Sequence, residues 1–591
     1  MIEWVHPGLI FLVGAVFLPM LNCRWRQVLL LLVPLLAIAS VANMTPGTYG
    51  AFEFANVQLV IGRVDKLALV FAWVFTIMAF IGCLYALHIR SSAQHVAAFL
   101  YVGSSLAVVF SGDWFTLLVA WEIMAFTSVY LIFAAHQEKA TQAGFRYLLV
   151  HITGGVMLFG GIVLHGLDTG SFLFGPLVDE AGKGGGLAYT LVLLSFILNA
   201  AVPPLNAWLT DAYPEATVTG AVFLSAFTTK TAVYVLIRTF PGTEILIWLG
   251  VIMALYGVVY AVLENDCRRL LAYHIVSQVG YMVVGVGIGT EMALNGSSSH
   301  AFAHIIYKGL LFMGAGAVIH MTGRRKLTKL GGLYRTMPWT VFLYMIGAFA
   351  ISAFPFFSGF VSKSMVIAAA AGDNRATIVL LLTVASSGTF LHTGLKLPYY
   401  MFFGRDCGLR PAEPPLNMLL AMGIAAILCV GIGVFPGLLY DLLPYPVDFI
   451  PYTGAHVTGS LGILMFTALG FVLLIKSLDP EKSISLDTDW FYRKGAQLFM
   501  WFAHKPLAWW EEIWSEISDT AILPTLHNLS KQSLRVDISV VDRVVNGVAR
   551  TTLLCGARVK RLQTGILNHY AMAMIVGVLV CVAIYSIVRL G

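Results

Sequence analysis

The apolar run from Trp114 to Ala134 contains a single acidic or basic residue, Glu122. A helix needs about 20 apolar residues, at 1.5 Å each, to cross the roughly 30 Å hydrocarbon core of a bilayer, so this run predicts a membrane span. A carboxylate at mid-membrane depth costs about 2.5 kcal/mol or more. Glu122 is therefore a candidate functional residue, and the group opposite it is the first question about the fold.

Apolar runs of this kind recur along the chain. Of the 591 residues, 59% are hydrophobic and only 11% are charged. This composition excludes a soluble globular protein and indicates an all-α polytopic membrane protein. Short polar or Gly/Pro breaks separate about sixteen candidate spans. These spans lie near 8–21, 27–43, 65–87, 95–111, 114–134, 145–166, 187–203, 216–238, 244–263, 268–288, 300–320, 340–370, 377–403, 416–438, 457–477 and 572–589.

Basic residues are unevenly distributed between the two ends of the spans. Many follow odd-numbered spans, as Arg90, Arg268 and Arg325 do, whereas few follow even-numbered spans, as Lys183 and Arg375 do. Cytoplasmic loops carry the excess of lysine and arginine. We therefore expect a multi-pass protein of the cell inner (plasma) membrane with its N-terminus outside.

Residues 478–570 are far more polar than the spans around them. They contain closely spaced tryptophans, among them Trp509, Trp510 and Trp514. The part from Leu529 to Gln563 alternates apolar and basic residues at roughly helical spacing, which predicts a lateral amphipathic helix along the membrane or along neighbouring proteins. Prolines at 506 and 524 predict breaks or kinks upstream of it. A surface helix that merely connects two spans is the alternative.

Several spans carry ionisable side chains, which are rare at membrane depth. The candidates for a proton path are Glu122 in the fifth span, Lys230 in the eighth, His300, His304 and Lys308 in the eleventh, and Lys363 in the twelfth. The secondary candidates are His151, Asn199, His274, His392 and Lys396.

The three residues of the eleventh span are spaced by four. This spacing places His300, His304 and Lys308 along one face of a helix. A neutral imidazole can accept a proton on one nitrogen and release it from the other, so the face suits a proton relay. For any single histidine, a role in capping a backbone group or at the membrane surface is the competing interpretation.

Two spans are expected to be broken. The twelfth contains Pro355 and Gly359 shortly before Lys363, and a stretch rich in proline and turn residues precedes the eighth. Paired interruptions in two halves of a transporter are typical of inverted repeats, although ordinary proline kinks compete with this interpretation. We predict two inverted five-helix repeats, called the first half (95–240) and the second half (241–405). The remaining predicted domains are a three-span segment (1–94), spans fourteen and fifteen (406–477), the lateral segment (478–570) and a terminal anchoring span (571–591).

No cofactor is expected from the sequence. The seven cysteines are scattered without a CxxC pair, so we predict neither a metal site nor a redox centre. The glycine-rich stretch 182–186 has no strand–helix context and is interpreted as a loop. No cleavable signal peptide is expected, because the first apolar run lacks a basic start and a small-residue cleavage site.

Several motifs resemble the antiporter-like, proton-translocating subunits of respiratory complex I (NADH:quinone oxidoreductase) and of Mrp-type Na+/H+ antiporters. The resemblance covers roughly residues 95–405. It rests on WE at 121–122, AWLTDAYPEAT at 207–217, TKTAVYVLIR at 229–238, DCRRLLAYHIVSQVGY at 266–281, HIIYKGLLF at 304–312, KLGGLYRTMP at 329–338 and FPFFSGFVSK at 354–363. These core motifs are most similar to the Mrp D-type and middle complex I subunits. The stretches VDRVVNG at 541–547 and RLQTGILNHYAM at 561–572 resemble the C-terminal tail of the distal complex I subunit.

The resemblance implies roles for the candidate residues. Glu122 matches the family's glutamate of the first half-channel, and Lys230 matches a lysine that links the halves in some members. His304 and Lys308 match the central HxxxK pair, and Lys363 matches the terminal ionisable residue of the exit path.

One departure from the family pattern affects the first half. Asn199 stands where the family places a lysine as partner to the glutamate, and Asn206 stands where many relatives have histidine. Glu122 then either pairs with Lys230 instead or belongs to a silent half-channel.

These patterns predict a proton-translocating subunit of a multisubunit membrane complex, with Na+ as a candidate second ion and no nucleic-acid partner. Because no catalytic or redox motif is present, partner subunits and the bilayer would supply its setting and driving force. The rival predictions are a structural or coupling subunit of the membrane arm with an inactive first half, and an energy-coupling subunit of an inorganic-carbon uptake system.

Overall fold

The computed structural model describes residues 4–54, 57–179, 182–481 and 487–590. The predicted segments 1–94, 95–240, 478–570 and 571–591 therefore lie partly outside the described residues. The chain forms two compact units, Met1–Phe491 and Tyr492–Gly591.

The first unit is built from apolar helices joined by short loops. Its helices are α1 Pro7–Phe17, α2 Cys23–Ala42, α3 Lys66–Tyr85, α4 Ser92–Phe110, α5 Trp114–Phe133, α6 Glu138–Thr169, α7 Gly186–Asn199, α8 Ala207–Ala212, α9 Val218–Ala226, α10 Thr228–Thr239, α11 Glu244–Leu263, α12 Cys267–Ile288, α13 Glu291–Thr322, α14 Pro338–Ile351, α15 Ser358–Gly372, α16 Ala376–Thr389, α17 Leu416–Val434, α18 Gly437–Tyr440 and α19 Gly454–Leu474.

The predicted class of a helical polytopic membrane protein is confirmed. Within the described residues, 13 helices, with α9–α10 and α16 with its π-helical continuation to Phe403 taken as one each, are long and apolar enough to cross a membrane. The first, seventh and twelfth predicted spans fall on shorter apolar helices, Pro7–Met20, Gly186–Asn199 and Pro338–Ile351. The count of about sixteen spans therefore stays a prediction.

Polar residues begin several of these helices. The side chains of Asp65, Asp113 and Thr290 accept hydrogen bonds from backbone N–H groups in the first turns of α3, α5 and α13. Such caps satisfy donors that have no partner inside the helix. These caps mark where α3, α5 and α13 begin.

A β-hairpin between α2 and α3 was not predicted from the sequence. Strands β1 Gly47–Phe54 and β2 Val57–Val64 pair antiparallel, with Gly47 opposite Val64. The Asp113 carboxylate accepts a hydrogen bond from the Val60 backbone N–H at 2.9 Å, so the hairpin is held to the start of α5. Strands of this length are too short to be found by a rule that looks for 20-residue apolar runs.

The predicted break in the twelfth span is confirmed. Helix α14 ends at Ile351 and α15 begins at Ser358, and Ala353 and Phe356 between them have positive φ angles of 57° and 73°. Gly359 is required at its position, because a Cβ there would lie 1.8 Å from the Ala350 carbonyl oxygen. The turn that precedes Lys363 is therefore a tightly packed break rather than a bend of one helix.

Two further interruptions lie where ionisable residues occur. Helix α9 ends at Ala226 and α10 begins at Thr228, with Phe227 between them. The thirteenth span changes from α-helix to π-helix over Phe390–Lys396 and again over Tyr399–Phe403. The π-helical segments were not predicted from the sequence, in which only the single residues Gly394 and Pro398 mark this stretch.

The second unit begins within a long helical run. This run extends without interruption from Asp489 to Lys560 as α20 Asp489–Phe502, α21 Ala508–Ile517, α22 Leu523–Val536 and α23 Asp542–Lys560, joined by π-helical turns Ala503–Leu507, Ser518–Ile522 and Asp537–Val541. At 1.5 Å per residue it is roughly 100 Å long. A final apolar helix, α24, covers Leu567–Leu590.

Of the predicted breaks or kinks at the prolines, the breaks are not observed, because the helical run continues through both prolines. Pro506 lies inside a π-helical turn, and Pro524 lies in the first turn of α22, directly after another. A π-helical turn changes the hydrogen-bond register, so the missing proline N–H and the ring are accommodated while the helix continues. The helical run therefore covers the predicted amphipathic stretch from Leu529 as far as Lys560.

Candidate ion-translocation site

The central cluster lies on α13, which is buried over most of its length. The side chains of His300, His304 and Lys308 are all fully buried, and their spacing of four places them on one face, as predicted. The ring centroids of His300 and His304 lie 6.1 Å apart. The positive charge of Lys308 acts on His304, which lies one turn earlier.

Most polar atoms of this cluster have no hydrogen-bond partner. Among the described residues, neither ring nitrogen of His304, nor the ammonium of Lys308, nor Nε2 of His300 has one. Nδ1 of His300 lies 3.2 Å from the Ser362 hydroxyl on α15. Buried polar groups are ordinarily paired, and those without a protein partner call for water.

Lys363 lies on α15, just after the break. Its ammonium donates a hydrogen bond of 3.0 Å to the carbonyl of Ile351, the last residue of α14, and lies 5.3 Å from the centroid of the Tyr281 ring. The break exposes that carbonyl, since the α-helix ends there. Lys363 also lines a cavity of about 280 Å³ whose wall carries hydroxyl groups, including those of Ser352, Thr383 and Ser386.

Lys230 occupies a matching position beside the break between α9 and α10. Its fully buried ammonium donates a hydrogen bond of 2.6 Å to the carbonyl of Ser225, near the end of α9. Its charge acts on His300, His304 and Lys308. The charges of both lysines next to the breaks therefore act on the α13 cluster, that of Lys363 on His300.

The Glu122 environment differs from that of these lysines. Glu122 is only half-buried, and its Oε1 would lie 1.7 Å from a Cβ on Gly155 of α6. Within the described parts of the chain it has no ion pair and no hydrogen bond, so neither alternative partner is joined to it. Asn199 instead bonds His151, with Oδ1 and Nδ1 2.8 Å apart, and Lys230 bonds Ser225.

The secondary candidates His274, His392 and Lys396 come together beside α13. The rings of His274 on α12 and His392 in the π-helical segment Phe390–Lys396 have centroids 4.9 Å apart. The charge of Lys308 acts on both rings. Lys396 donates a hydrogen bond of 2.5 Å to the carbonyl of Val262, near the end of α11.

The neutral side chains that surround these groups were not predicted from the sequence. The Tyr307 hydroxyl donates to Oε1 of Gln278 at 3.5 Å, and Nε2 of Gln278 donates to the Thr389 hydroxyl at 3.3 Å. Gln278 follows His274 by four residues, so helical spacing from a known candidate is a signal that could have found it. Thr389 and Ser362 carry no such signal, because hydroxyl side chains are common in apolar helices.

Ion pairs join different segments of the chain near the ends of the helices. Arg325, after α13, pairs with Glu215 at 2.6 Å and with Asp266 at 2.7 Å. Burial raises the pKa of Asp266, although the charge of Arg325 opposes the shift. At the other ends of the helices, Arg238 of α10 pairs with the Asp65 cap of α3 at 2.6 Å. These pairs fix the loops between which the buried side chains lie.

The fold and the site define a class: a polytopic helical membrane protein with a file of buried lysines and histidines beside broken helices. The family model "NADH:quinone oxidoreductase/Mrp antiporter, TM" matches residues 111–389. The D-type component of the Na(+)/H(+) antiporter of Alkalihalophilus pseudofirmus is 32% identical over 361 residues, which are 56% of this chain and 71% of that protein. The chain belongs to this family of NADH:quinone oxidoreductase and Mrp antiporter membrane subunits.

Other relatives differ in length. The A/B-type component of a probable K(+)/H(+) antiporter of Rhizobium meliloti is 31% identical over 399 residues, which are 63% of this chain but only 40% of that protein. A chain in the structure of the membrane-bound sulfane sulfur reductase, an archaeal respiratory membrane complex, has the same fold, with a TM-score of 0.69 and 21% identity over 98% of this chain and all of that one.

Proposed function

We propose that this chain is a proton-translocating membrane subunit of a larger complex, in which protons pass between Lys230, the His304–Lys308 pair, His300 and Lys363. The observation that carries this proposal is the buried set of unpartnered nitrogens on α13. A purely structural core would pair such groups or replace them with apolar side chains, because an unpaired buried polar group costs free energy. A proton path needs groups that remain free to exchange partners.

Electrostatic coupling would move the protons stepwise. Two unit charges about 6 Å apart interact by roughly 3 kcal/mol at an effective dielectric constant of about 20. Protonation of one lysine therefore disfavours the charged form of the neighbouring lysine by enough to drive a proton transfer. The charge of Lys230 acts on Lys308 and on both histidines, and the charge of Lys363 acts on His300.

The two ends of the path differ in their surroundings. The cavity next to Lys363, whose wall includes several serine and threonine residues, would give a proton released there an exit. At the other end, the ammonium of Lys230 is fully buried and bonded to the Ser225 carbonyl, so it would serve as the link rather than as an opening. The division into inverted halves 95–240 and 241–405 belongs to this proposal.

Partners and sidedness follow from the same scheme. The basic start of α12, with Arg268 and Arg269, and the loop with Arg325 would face the cytoplasm, with the N-terminus outside. Other membrane subunits would supply the driving force and form the complex. The relatives named as components of Na(+)/H(+) and K(+)/H(+) antiporters favour exchange of protons for an alkali cation as a variant of this function.

A second candidate function is that of a structural subunit of the membrane arm. The pairing of Asn199 with His151, with Glu122 left without an ion partner among the described residues, favours it for the first half. The long helical run from Asp489 to Lys560 would then serve as the structural element.

Proton flux in the reconstituted complex distinguishes these functions. The variants Lys308→Ala and Lys363→Ala should each abolish most of the flux while leaving complex assembly intact, and Glu122→Gln tests the first half. Lys326→Ala, a change of an exposed loop lysine, is the matched control. Unchanged flux in all three site variants would support the structural function instead.

A further inference from the structure

We propose that the π-helical segment Phe390–Lys396 carries a second proton branch, in which Lys396, His392 and His274 connect Lys308 with the membrane face where α11 ends. This inference rests on the proposed proton path and extends it. It assigns a function to three buried ionisable side chains that the path from Lys230 to Lys363 does not use.

The two histidines form the inner part of the branch. His274 and His392 are fully buried, with ring centroids 4.9 Å apart. Among the described residues, both nitrogens of His274 and Nε2 of His392 have no hydrogen-bond partner, whereas Nδ1 of His392 lies 2.8 Å from the Thr393 hydroxyl. That contact orients the His392 ring and leaves Nε2 free to exchange a proton with a neighbour.

Lys308 joins this pair to the central cluster. Its ammonium, also fully buried and without a partner in the described part of the chain, acts electrostatically on both His274 and His392. A proton taken up through the branch therefore reaches Lys308 from the π-helical segment and α12 and then moves along α13 towards His304 and His300, so the two paths act in series.

Lys396 forms the outer part of the branch. It follows His392 by four residues, so the two side chains lie on the same side of the helix, and its charge acts on His392. Its ammonium is held by the Val262 carbonyl and lies within the field of two carboxylates, Glu264 and Asp479. Glu264 is partly exposed and Asp479 is exposed, so they offer protons a route between Lys396 and water.

The π-helical geometry explains how these groups meet. A π-helical turn shifts the register of the residues that follow, and such turns are frequent at functional sites. Here the α-helical part of the thirteenth span ends at Thr389, and the next residues carry His392 and Lys396. The Thr389 hydroxyl also accepts a hydrogen bond from Gln278, which fixes the point where the register changes.

The branch is tested with substitutions in the assembled, reconstituted complex. His274→Gln, His392→Gln and Lys396→Met should each lower proton flux by about tenfold, because a positioned proton-transfer group contributes at least that much. His527→Gln, at an exposed histidine of α22, is the matched control and should leave flux unchanged. Assembly is followed by size-exclusion chromatography for every variant.

Lys396→Arg separates a relay from a structural role. Arginine keeps the positive charge and can bond the Val262 carbonyl, but it cannot be deprotonated. If Lys396 is a relay, proton flux in Lys396→Arg should be as low as in Lys396→Met. If Lys396 has a structural role, flux in Lys396→Arg should be near normal.

Chemical rescue tests from which side of the membrane the branch is reached. In Lys396→Cys, attack of the thiolate on aminoethyl methanethiosulfonate releases methanesulfinate and restores a primary ammonium on a disulfide-linked arm. Flux should recover when the reagent is added at the face where α11 ends, with the unsubstituted protein treated in parallel because it has exposed native cysteines. Normal flux in the three branch variants, with flux lost in Lys308→Met, would overturn the branch but leave the main path. Normal flux in Lys308→Met as well would overturn both.

Discussion

The two predicted halves, 95–240 and 241–405, differ in how several of their buried histidines and lysines are held. In the first half, His151 is bonded to Asn199, Lys230 is bonded to the Ser225 carbonyl, and Glu122 is half-buried. In the second half, His274, His304 and Lys308 are fully buried, with ring or ammonium nitrogens that have no partner among the described residues. His151 and Lys230 thus each have at least one fixed partner, whereas His274, His304 and Lys308 have none among the described residues.

This difference indicates which side chains are suited to proton exchange. A side chain whose hydrogen bonds are complete must break one before it can accept or release a proton, and that costs about 1–3 kcal/mol when it is buried. A side chain without a fixed partner has no such cost. We therefore place the working proton path in the second half. Lys230 connects the first half to this path.

The largest effect should come from Lys308. Lys308→Met removes the group on which the main path and the branch converge, so proton flux in reconstituted vesicles should fall by about a hundredfold. The control Lys326→Met changes an exposed loop lysine and should retain full flux. Equal flux in the two variants would end the distinction between the halves.

A smaller loss of proton flux is expected on substitution of Lys230. Lys230→Met should lower flux by about tenfold, because Lys230 acts on the cluster through its charge while its ammonium is already bonded. The same vesicle assay measures it. A loss as large as that of Lys308→Met would show that the first half is an equal part of the path.

Glu122 should matter least among the ionisable residues. Glu122→Gln keeps the shape of the side chain against Gly155 and should lower flux by about threefold, below the range of a positioned proton-transfer group. Gly155→Ala is a second probe, since a Cβ at this position would displace the carboxylate. If either variant abolished flux, the first half would be active despite Asn199.

The ion pair between Arg238 of α10 and Asp65 before α3 should affect stability rather than transport. Burial alone would raise the pKa of Asp65, but the hydrogen bond and charge of Arg238 outweigh it and lower the pKa. The stabilisation is therefore complete above the unfolded-state pKa of about 3.9 and is lost as the pH falls through the lower folded-state value.

Substitution removes this dependence on pH. Asp65→Asn should lower the free energy of unfolding by about 2 kcal/mol at neutral pH, because it leaves the buried Arg238 without its counter-charge. Thermal unfolding in detergent at neutral and acid pH measures both effects, with Asp441→Asn, at an exposed aspartate, as the control. A wild-type-like response to acid in Asp65→Asn would show that the pair contributes nothing.

The sequence predicted much of this architecture because lipid imposes a simple length rule. The spans, the break before Lys363 and the shared face of His300, His304 and Lys308 all follow from hydropathy, proline and spacing. The β-hairpin and the π-helical segment Phe390–Lys396 do not follow, since short strands and register shifts are set by packing between distant elements. The pairing of Asn199 with His151 was missed for the same reason: residues 48 positions apart meet only after α6 and α7 pack.

The central claim is that the unpartnered nitrogens of the second half lie along a hydrated file. A map of the assembled complex that resolves individual water molecules tests it most directly. We predict ordered water within hydrogen-bond distance of Lys308, His304 and His274, continuing to the cavity beside Lys363. Dry packing around these side chains, with no water between Lys308 and Lys363, would contradict the claim.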